Sequence, residues 1–168
     1  MKKYLYIAIA LFACTLGFTA CGNDSDDSGY PIVPDKGAAV AGNYNGKWTI
    51  KDLDGNVVAT ANGTVILAKD GEAKDYVVVS MAENAGARLK AMNSKANIAQ
   101  QAKRFIITNT TEACGLVNVD GDKAGDVGGY RIYVTDTEML MQFTFDHTGR
   151  GSYTHRYTFE GNKSVPNN

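Results

Sequence analysis

Three aspartates in a short glycine-rich stretch form the strongest candidate for a metal site in this sequence. Asp120, Asp122 and Asp126 offer carboxylate oxygens, the ligands that Ca²⁺ prefers. A helix–loop–helix calcium site has oxygen ligands at positions 1, 3 and 5, glycine at position 6 and a bidentate glutamate at position 12. Counted from Asp120, positions 1, 3 and 6 agree, but position 5 is Ala124 and position 12 is Arg131. The stretch is therefore predicted to be a flexible loop, with weak calcium binding by the three aspartates as the alternative.

The residues that could support acid–base or nucleophilic chemistry are too isolated to form a catalytic set. His147 and His155 are the only histidines, and a zinc site needs a third protein ligand close to them. Cys114 has no neighbouring cation in the sequence that would activate its thiol, so it is predicted to be a small buried hydrophobe. The sequence has no nucleophile elbow, phosphate-binding loop or His-Glu-x-x-His helix. We therefore predict a protein that is not an enzyme and binds no cofactor.

The first residues of the chain have the order of a secretory signal. Lys2 and Lys3 precede the uncharged stretch 4–18, which is rich in leucine, isoleucine, alanine and phenylalanine. Small residues follow, and after them an acidic run begins. A basic start, an apolar middle and a small-residue exit are typical of a signal peptide, which we predict over residues 1–20.

A cysteine at the end of this signal indicates a lipid anchor. Residues 18–21, Phe-Thr-Ala-Cys, resemble a bacterial lipobox, in which the thiol is diacylated and becomes the first mature residue. A rival match at residues 11–14 would leave apolar residues on the mature end. We predict lipidation of Cys21 and stable membrane anchoring, because two or three acyl chains suffice for it. An ordinary signal cut near Ala20, which would release a soluble protein, is the alternative.

The mature chain is slightly acidic and begins with a predicted tether. Removing the two signal lysines from 17 basic residues leaves 15 against 18 acidic residues, a net charge of −3. No clustered positive surface for nucleic acid follows from this balance. Residues 21–39 are acidic and rich in glycine and serine, which predicts a flexible tether. Asp24, Asp26 and Asp27 are similar to a surface-export signal of lipoproteins in one group of gut Gram-negative bacteria, and a plain solvated spacer is the alternative.

Short strands separated by turns are predicted from residue 40 onward. Tyr44, Trp48 and Ile50 share one parity and polar residues the other, which is typical of a half-buried strand. Similar short strands and turns recur along the rest of the chain. About eight antiparallel strands in sequence order predict an up-and-down meander that closes into a small barrel. The fold is therefore expected to be mainly β, in one domain over residues 40–165.

One segment has a different period. Ala85, Leu89, Met92 and Ala96 recur at spacings of four and three, with charged and polar residues between them. This pattern indicates an amphipathic helix. We predict that residues 84–103 form such a helix, inserted into the meander.

The clearest hairpin pattern closes the domain, with strands at 138–146 and 152–160 and one apolar or aromatic side. If Asp146 pairs with Ser152, the methionines and phenylalanines of the first strand lie opposite the aromatic residues and histidine of the second. The interior of a small barrel is either filled by such side chains or holds one small ligand. The candidates for core or cavity lining are Trp48, Met139, Met141, Phe143, His155 and Tyr157.

A family resemblance rests on three residues of the first strand and one of the last. Gly46-Lys47-Trp48 resembles the Gly-x-Trp opening of lipocalins and their calycin relatives. Arg156 looks like the basic partner that packs across the tryptophan in such proteins. The arrangement resembles the calycin-like lipoproteins of gut Gram-negative bacteria, a family of unknown function. The resemblance implies a barrel in which Trp48 is buried at a closed end.

The function expected from these observations is that of a membrane-anchored envelope lipoprotein. Its barrel is predicted to be a non-enzymatic binding module for a small apolar ligand or an envelope protein. The alternative is a structural or accessory subunit that docks on another envelope protein through a face of its sheet. The expected location is the outer membrane, on the cell surface or the periplasmic face.

Overall fold

The computed structural model of the protein describes residues 30–109, 115–121, 129–147 and 153–164. Within these ranges the chain forms one short helix and eight strands. The elements are α1 (Lys36–Val40), β1 (Gly42–Lys51), β2 (Val57–Lys69), β3 (Tyr76–Met81), β4 (Met92–Gln101), β5 (Arg104–Thr108), β6 (Arg131–Val134), β7 (Glu138–His147) and β8 (Tyr153–Lys163). The predicted mainly β fold is confirmed.

The strands form one closed antiparallel barrel in which each strand pairs with the next along the chain. The last strand, β8, returns to the first, with Trp48 opposite Phe159 and Lys51 opposite Arg156. Closure gives the first and last strands of the meander a partner, so that neither is left as a sheet edge. The predicted meander and its closure into a barrel are both confirmed.

Side chains of alternating residues fill the inside of the barrel. In β1, Tyr44, Trp48 and Ile50 are buried, whereas the residues between them are exposed or half-buried. The Tyr44 hydroxyl donates a hydrogen bond to the carbonyl oxygen of Val40 at 2.8 Å. Burial raises the pKa of Tyr44 to about 12, because the charged phenolate is disfavoured away from water. The period of two in the sequence therefore gave the inward face correctly.

The amphipathic helix predicted over residues 84–103 is wrong. Half of this segment is β4, which pairs with β3 on one side and β5 on the other. Every second residue from Met92 to Ile98 is buried, and one of these is Ser94. The Ser94 and Tyr130 hydroxyl oxygens lie 2.7 Å apart inside the barrel. Because Ser94 is polar, the apolar residues of β4 do not alternate regularly in the sequence, and the strand period of two is not evident. Pairing with two neighbouring strands outweighs the local helical pattern.

The predicted hairpin of β7 and β8 is present, but its register is different. In the structure Asp146 lies opposite Thr154, not Ser152, and Phe145 lies opposite His155. Each residue of β7 is thus paired two positions further along β8 than predicted. Because side chains alternate with a period of two, this shift keeps the same residues on the inner face.

The helix α1 packs against β2, β3 and β4 at one end of the barrel, and its residues 36–39 belong to the segment predicted as a tether. Asp35 caps its first turn by accepting a hydrogen bond from the Ala38 backbone N–H at 2.9 Å. The Gly37 backbone N–H donates to the carbonyl oxygen of Lys74 at 2.8 Å, which holds α1 on the connection between β2 and β3. No helix among the described residues is long and apolar enough to cross a membrane.

Two connecting segments pack together near the opposite end. Residues 84–90 turn back on themselves, and Leu89 forms an isolated bridge with Asn118. Leu89 and Leu116 are both buried in the core. Around Asn118 the chain therefore makes a bridging contact and does not extend it into a strand.

The lengths of the β ladders are uneven. β1 with β2 and β7 with β8 each pair at ten positions. By contrast, β2 with β3 and β6 with β7 each pair at only four positions. β7 therefore continues past Gln142 without a strand on its β6 side, and β2 has no strand on its β3 side before Ile66, among the described residues.

Candidate functional site

Aromatic side chains occupy the centre of the barrel. The ring centroid of Trp48 lies 5.0 Å from that of Phe159 and 5.6 Å from that of Phe143. Phe143 in turn stacks on Tyr157, with ring centroids 5.0 Å apart. Only 1% of Trp48 is exposed, so its predicted burial is confirmed. The indole lies beside Gly63, which Asn84 of the 84–90 segment also approaches.

The other residues predicted as core or cavity lining share this interior. Met139 and Met141 are buried. His155 has the same parity on β8 as the buried Tyr157 and lies opposite Phe145, but it is only half-buried. The structure thus brings the six candidates together on the inner face, where the aromatic rings pack on one another.

The Gly-x-Trp sequence has a steric basis in this packing. Gly46 of β1 pairs with Gly161 of β8. A Cβ on Gly46 would overlap the carbonyl oxygen of Glu160, and a Cβ on Gly161 would lie 2.5 Å from the ring of Phe159. The two strands and the Phe159 ring, which contacts Trp48, therefore need glycine at both positions.

Arg156 lies on the other face of the sheet from Trp48. It is exposed and stands opposite Lys51 of β1 and Thr144 of β7. Trp48 points into the barrel, so the structure does not bring the two side chains together as the resemblance implied. Arg156 belongs instead to a cleft on the outer surface.

The calcium candidates are only partly described. Both carboxylate oxygens of Asp120 accept hydrogen bonds from the guanidinium of Arg88, at 2.7 and 2.5 Å. Asp122 and Asp126 lie outside the described residues, as do Cys21 and Cys114. Within the described ranges no three His, Cys, Asp or Glu side chains are grouped closely enough to hold a metal ion.

A cleft of about 770 Å³ opens on the outer surface where the ladder between β6 and β7 stops. Its outward-facing lining comes from β5 to β8, and beneath these residues the cleft reaches the edges of the core aromatics Phe143 and Tyr157. Phe143 is 7% exposed and Tyr157 3%, so the accessible surface is mainly that of the outward residues. These are Thr108, Arg131, Tyr133, Gln142, Thr144, Asp146, Arg156 and Thr158.

The two arginines of this cleft make no ion pair within the described residues. The ion pairs within the described residues join Lys36 to Asp75, Lys69 to Asp35, Arg88 to Asp120 and Lys95 to Asp70. Arg131 and Arg156 take part in none of them, and both side chains are exposed. The third charge, Asp146, accepts a hydrogen bond from the Thr154 hydroxyl at 2.7 Å. The cleft therefore has one more positive than negative charge.

The sequence interpretation missed most of this cleft. In the sequence, Arg131 stands where a calcium loop would have a glutamate, and Gln142, Thr144 and Thr158 have the polar parity of the last hairpin. Their shared parity with Arg156 was a usable signal, because residues of one parity lie on one face. The opening itself depends on where β6 begins, which no local pattern indicates.

No protein-family model matches the chain. Searches of the curated proteins and of the solved structures gave no significant match either. The closed barrel of eight antiparallel strands is consistent with a calycin-like fold. Since a fold does not by itself imply a function, the chemistry of the cleft carries the functional proposal.

Proposed function

We propose that this protein is an envelope lipoprotein of the calycin-like kind, tethered through Cys21, whose barrel is a non-enzymatic binding module. The binding site is the outer cleft between β6 and β7. The observation that carries the proposal is the presence of Arg131 and Arg156 in this cleft without an ion pair among the described residues. An exposed arginine without an ion-pair partner can donate hydrogen bonds to an anionic ligand, and ligand sites are usually concave.

The interior of the barrel is a less favourable place for a ligand. Trp48, Phe143, Tyr157 and Phe159 contact one another through their rings at centroid distances of 5.0 to 5.6 Å. A small apolar ligand would have to separate these rings and would lose their contacts. The cleft offers space without such a cost, and this favours binding on the outer face.

Native mass spectrometry of the purified barrel domain tests the proposal. We expect a co-purifying molecule that is retained by the wild type and lost in Thr144→Trp, which fills the cleft. Thr60→Trp is the matched control, because Thr60 is exposed on β2 outside the cleft. A bound molecule that survives Thr144→Trp, or the lack of any bound molecule in the wild type, would contradict the proposal.

The tether has a separate test. Cys21→Ala should abolish membrane association, because the acyl chains supply the anchoring energy. Labelled palmitate on the Cys21→Ala protein, or its retention in the membrane fraction, would contradict lipidation. Replacing Asp24, Asp26 and Asp27 with alanine should reduce access of added protease if they direct export to the surface. Unchanged access would favour the spacer interpretation.

A second candidate function, docking on an envelope protein, is favoured by the open side of β2. Leu53, Val57 and Val58 near the tip of the β1–β2 hairpin are 59%, 55% and 48% exposed. Residues 57–68 contain no charge, and charged side chains are what proteins use to protect a sheet edge. An extended strand of a partner protein could add to this edge through backbone hydrogen bonds.

Site-specific crosslinking tests this second candidate. A photoreactive group at position 53 should give one discrete adduct with an envelope protein. Val58→Lys, which places a charge beside the edge, should remove the adduct, whereas Tyr76→Lys on β3 should leave it. An adduct that is unchanged by Val58→Lys would contradict docking at this edge.

A further inference from the structure

We infer that the outer cleft binds an acidic, hydroxyl-rich ligand of the sugar-acid class, through carboxylates that pair with Arg131 and Arg156. This inference rests on the proposed function and names the ligand class of the same site. It follows from the charges, the neutral polar groups and the surroundings of the cleft.

The charged groups favour an anionic ligand, and carboxylates fit them well. The guanidinium of arginine is planar and donates two parallel hydrogen bonds to one carboxylate. Arg131 lies opposite Gln142 on β7, and Arg156 lies opposite Thr144, two residues further along the same strand. With strands about 4.8 Å apart and about 3.4 Å per residue, the two arginine Cα atoms are about 12 Å apart. A ligand with more than one carboxylate can therefore engage both arginines at once.

The neutral groups between the arginines favour hydroxyls. Thr108, Thr144 and Thr158 contribute three hydroxyl groups to the lining, and Gln142 contributes an amide. Each hydroxyl can donate or accept a hydrogen bond, and the amide can do both through different atoms. An apolar ligand would leave these groups without partners, at a cost in free energy.

The floor and the neighbouring cleft limit the alternatives. Phe143 and Tyr157 expose too little surface to attract an apolar molecule. A second cleft of about 440 Å³ adjoins the first at Tyr133, and its charged lining is Glu138, Glu160 and Arg104. With two carboxylates and one guanidinium the second cleft has a net negative charge, whereas the first has a net positive one, so the acidic groups of the ligand should remain on the side of Arg131 and Arg156.

Nuclear magnetic resonance titration with tri-galacturonic acid tests the inference, and its fully methyl-esterified form is the matched neutral ligand. The two ligands share sugars and linkages and differ in the charge of the carboxylates. We expect the acid to shift the backbone amide signals of Arg131, Gln142, Thr144 and Arg156. We expect the ester to bind at least about tenfold more weakly, because its neutral carbonyl accepts a weaker hydrogen bond from arginine than a carboxylate does.

Variants distinguish a specific site from general charge attraction. Arg131→Gln with Arg156→Gln should weaken binding of the acid by about a hundredfold, or about tenfold for each arginine. Lys47→Gln with Lys90→Gln removes the same charge from exposed positions outside the cleft and should leave binding nearly unchanged. Equal losses in the two double variants would overturn the inference.

The remaining outcomes separate this inference from the proposed function. If the ester shifts the cleft signals as strongly as the acid, the acidic class is wrong and the cleft is still a binding site. If neither ligand shifts these signals, the sugar-acid class is overturned. Whether the cleft is a binding site for another ligand is then tested by the separate comparison of Thr144→Trp with Thr60→Trp.

Discussion

The two sides of strand β7 form a contrast within one sheet. Toward β8, β7 pairs at ten positions, and its inward residues join the aromatic cluster of the core. Toward β6 it pairs at only four positions, and polar side chains line the opening beyond them. The longer ladder thus accompanies the packed interior, and the cleft opens where the shorter ladder stops. β2 shows a similar contrast, because it pairs with β1 at ten positions but has no strand on its β3 side near Val57, among the described residues.

Truncation of Trp48 should have the largest effect, because it removes the centre of the aromatic cluster. We expect Trp48→Ala to lower the free energy of unfolding by about 3–5 kcal/mol, the range for large aromatic residues in cores. Urea unfolding followed by circular dichroism measures this change. Tyr76→Ala, at a position that is 38% exposed on β3, should cost clearly less.

The fluorescence of the wild type provides an independent check, since Trp48 is the only tryptophan. Emission should be blue-shifted and poorly quenched by iodide. Red-shifted emission with ready quenching would show that Trp48 is not buried in a packed core. Similar losses of unfolding free energy for Trp48→Ala and Tyr76→Ala would contradict the contrast between the packed interior and the less buried positions.

A methyl group at Gly46 should have the next largest effect. Gly46→Ala forces a Cβ into the backbone of β8 at Glu160, and overpacking of this kind costs about 1–3 kcal/mol. Lys47→Ala is the control, because Lys47 is the exposed neighbour on the same strand. Thermal or urea unfolding of both variants measures the difference. A Gly46→Ala protein as stable as Lys47→Ala would show that β1 and β8 are less closely packed than described.

A buried hydrogen bond between β4 and the residue before β6 should make a moderate contribution to the free energy of unfolding. The hydroxyls of Ser94 and Tyr130 join β4 to the residue before β6. Ser94→Ala should lower the free energy of unfolding by about 0.5–1.5 kcal/mol, the usual net contribution of one hydrogen bond. Ser80→Ala, at a half-buried position on β3, is the control in the same urea experiment. If Ser94→Ala lowered the free energy of unfolding as much as Trp48→Ala does, the aromatic cluster would not be the more important contribution.

The smallest expected change in the free energy of unfolding comes from the charge of Asp35, which caps α1. The hydrogen bond from Lys69, and next that from the Ala38 backbone N–H, hold the pKa of Asp35 below its ordinary value. A carboxyl with a lowered pKa in the folded state stabilises the protein fully above its unfolded pKa of about 3.9. That contribution is lost as the pH falls through the lower folded value.

The charge of Asp35 can be tested without removing the cap, since asparagine caps helices as well as aspartate does. Asp35→Asn should be slightly less stable than the wild type at neutral pH, and the difference should shrink near pH 3. Urea unfolding at the two pH values measures it. A difference of equal size at both values would mean that the ionised carboxylate contributes nothing.

Much of the barrel could be predicted from local patterns. The alternation around Tyr44, Trp48 and Ile50 gave the inward face of β1, and the pattern of the last hairpin gave β7 and β8. Local patterns failed for 84–103, where Ser94 interrupts the apolar alternation of β4. They also failed for α1, a five-residue helix that is held by Asp35 and by contacts with the β2–β3 connection.

By itself, the sequence determined the mainly β class, the order of the strands and which residues of most strands face inward. These properties depend on the alternation of polar and apolar side chains, which is local. Only the tertiary structure decided the register of β7 and β8, the shortness of β6 and the resulting cleft. Arg131 and Arg156 are 25 positions apart in the chain, and they share a cleft because β7 lies between their strands. That neighbourhood depends on which residues pair across strands, and pairing is a property of the closed barrel as a whole.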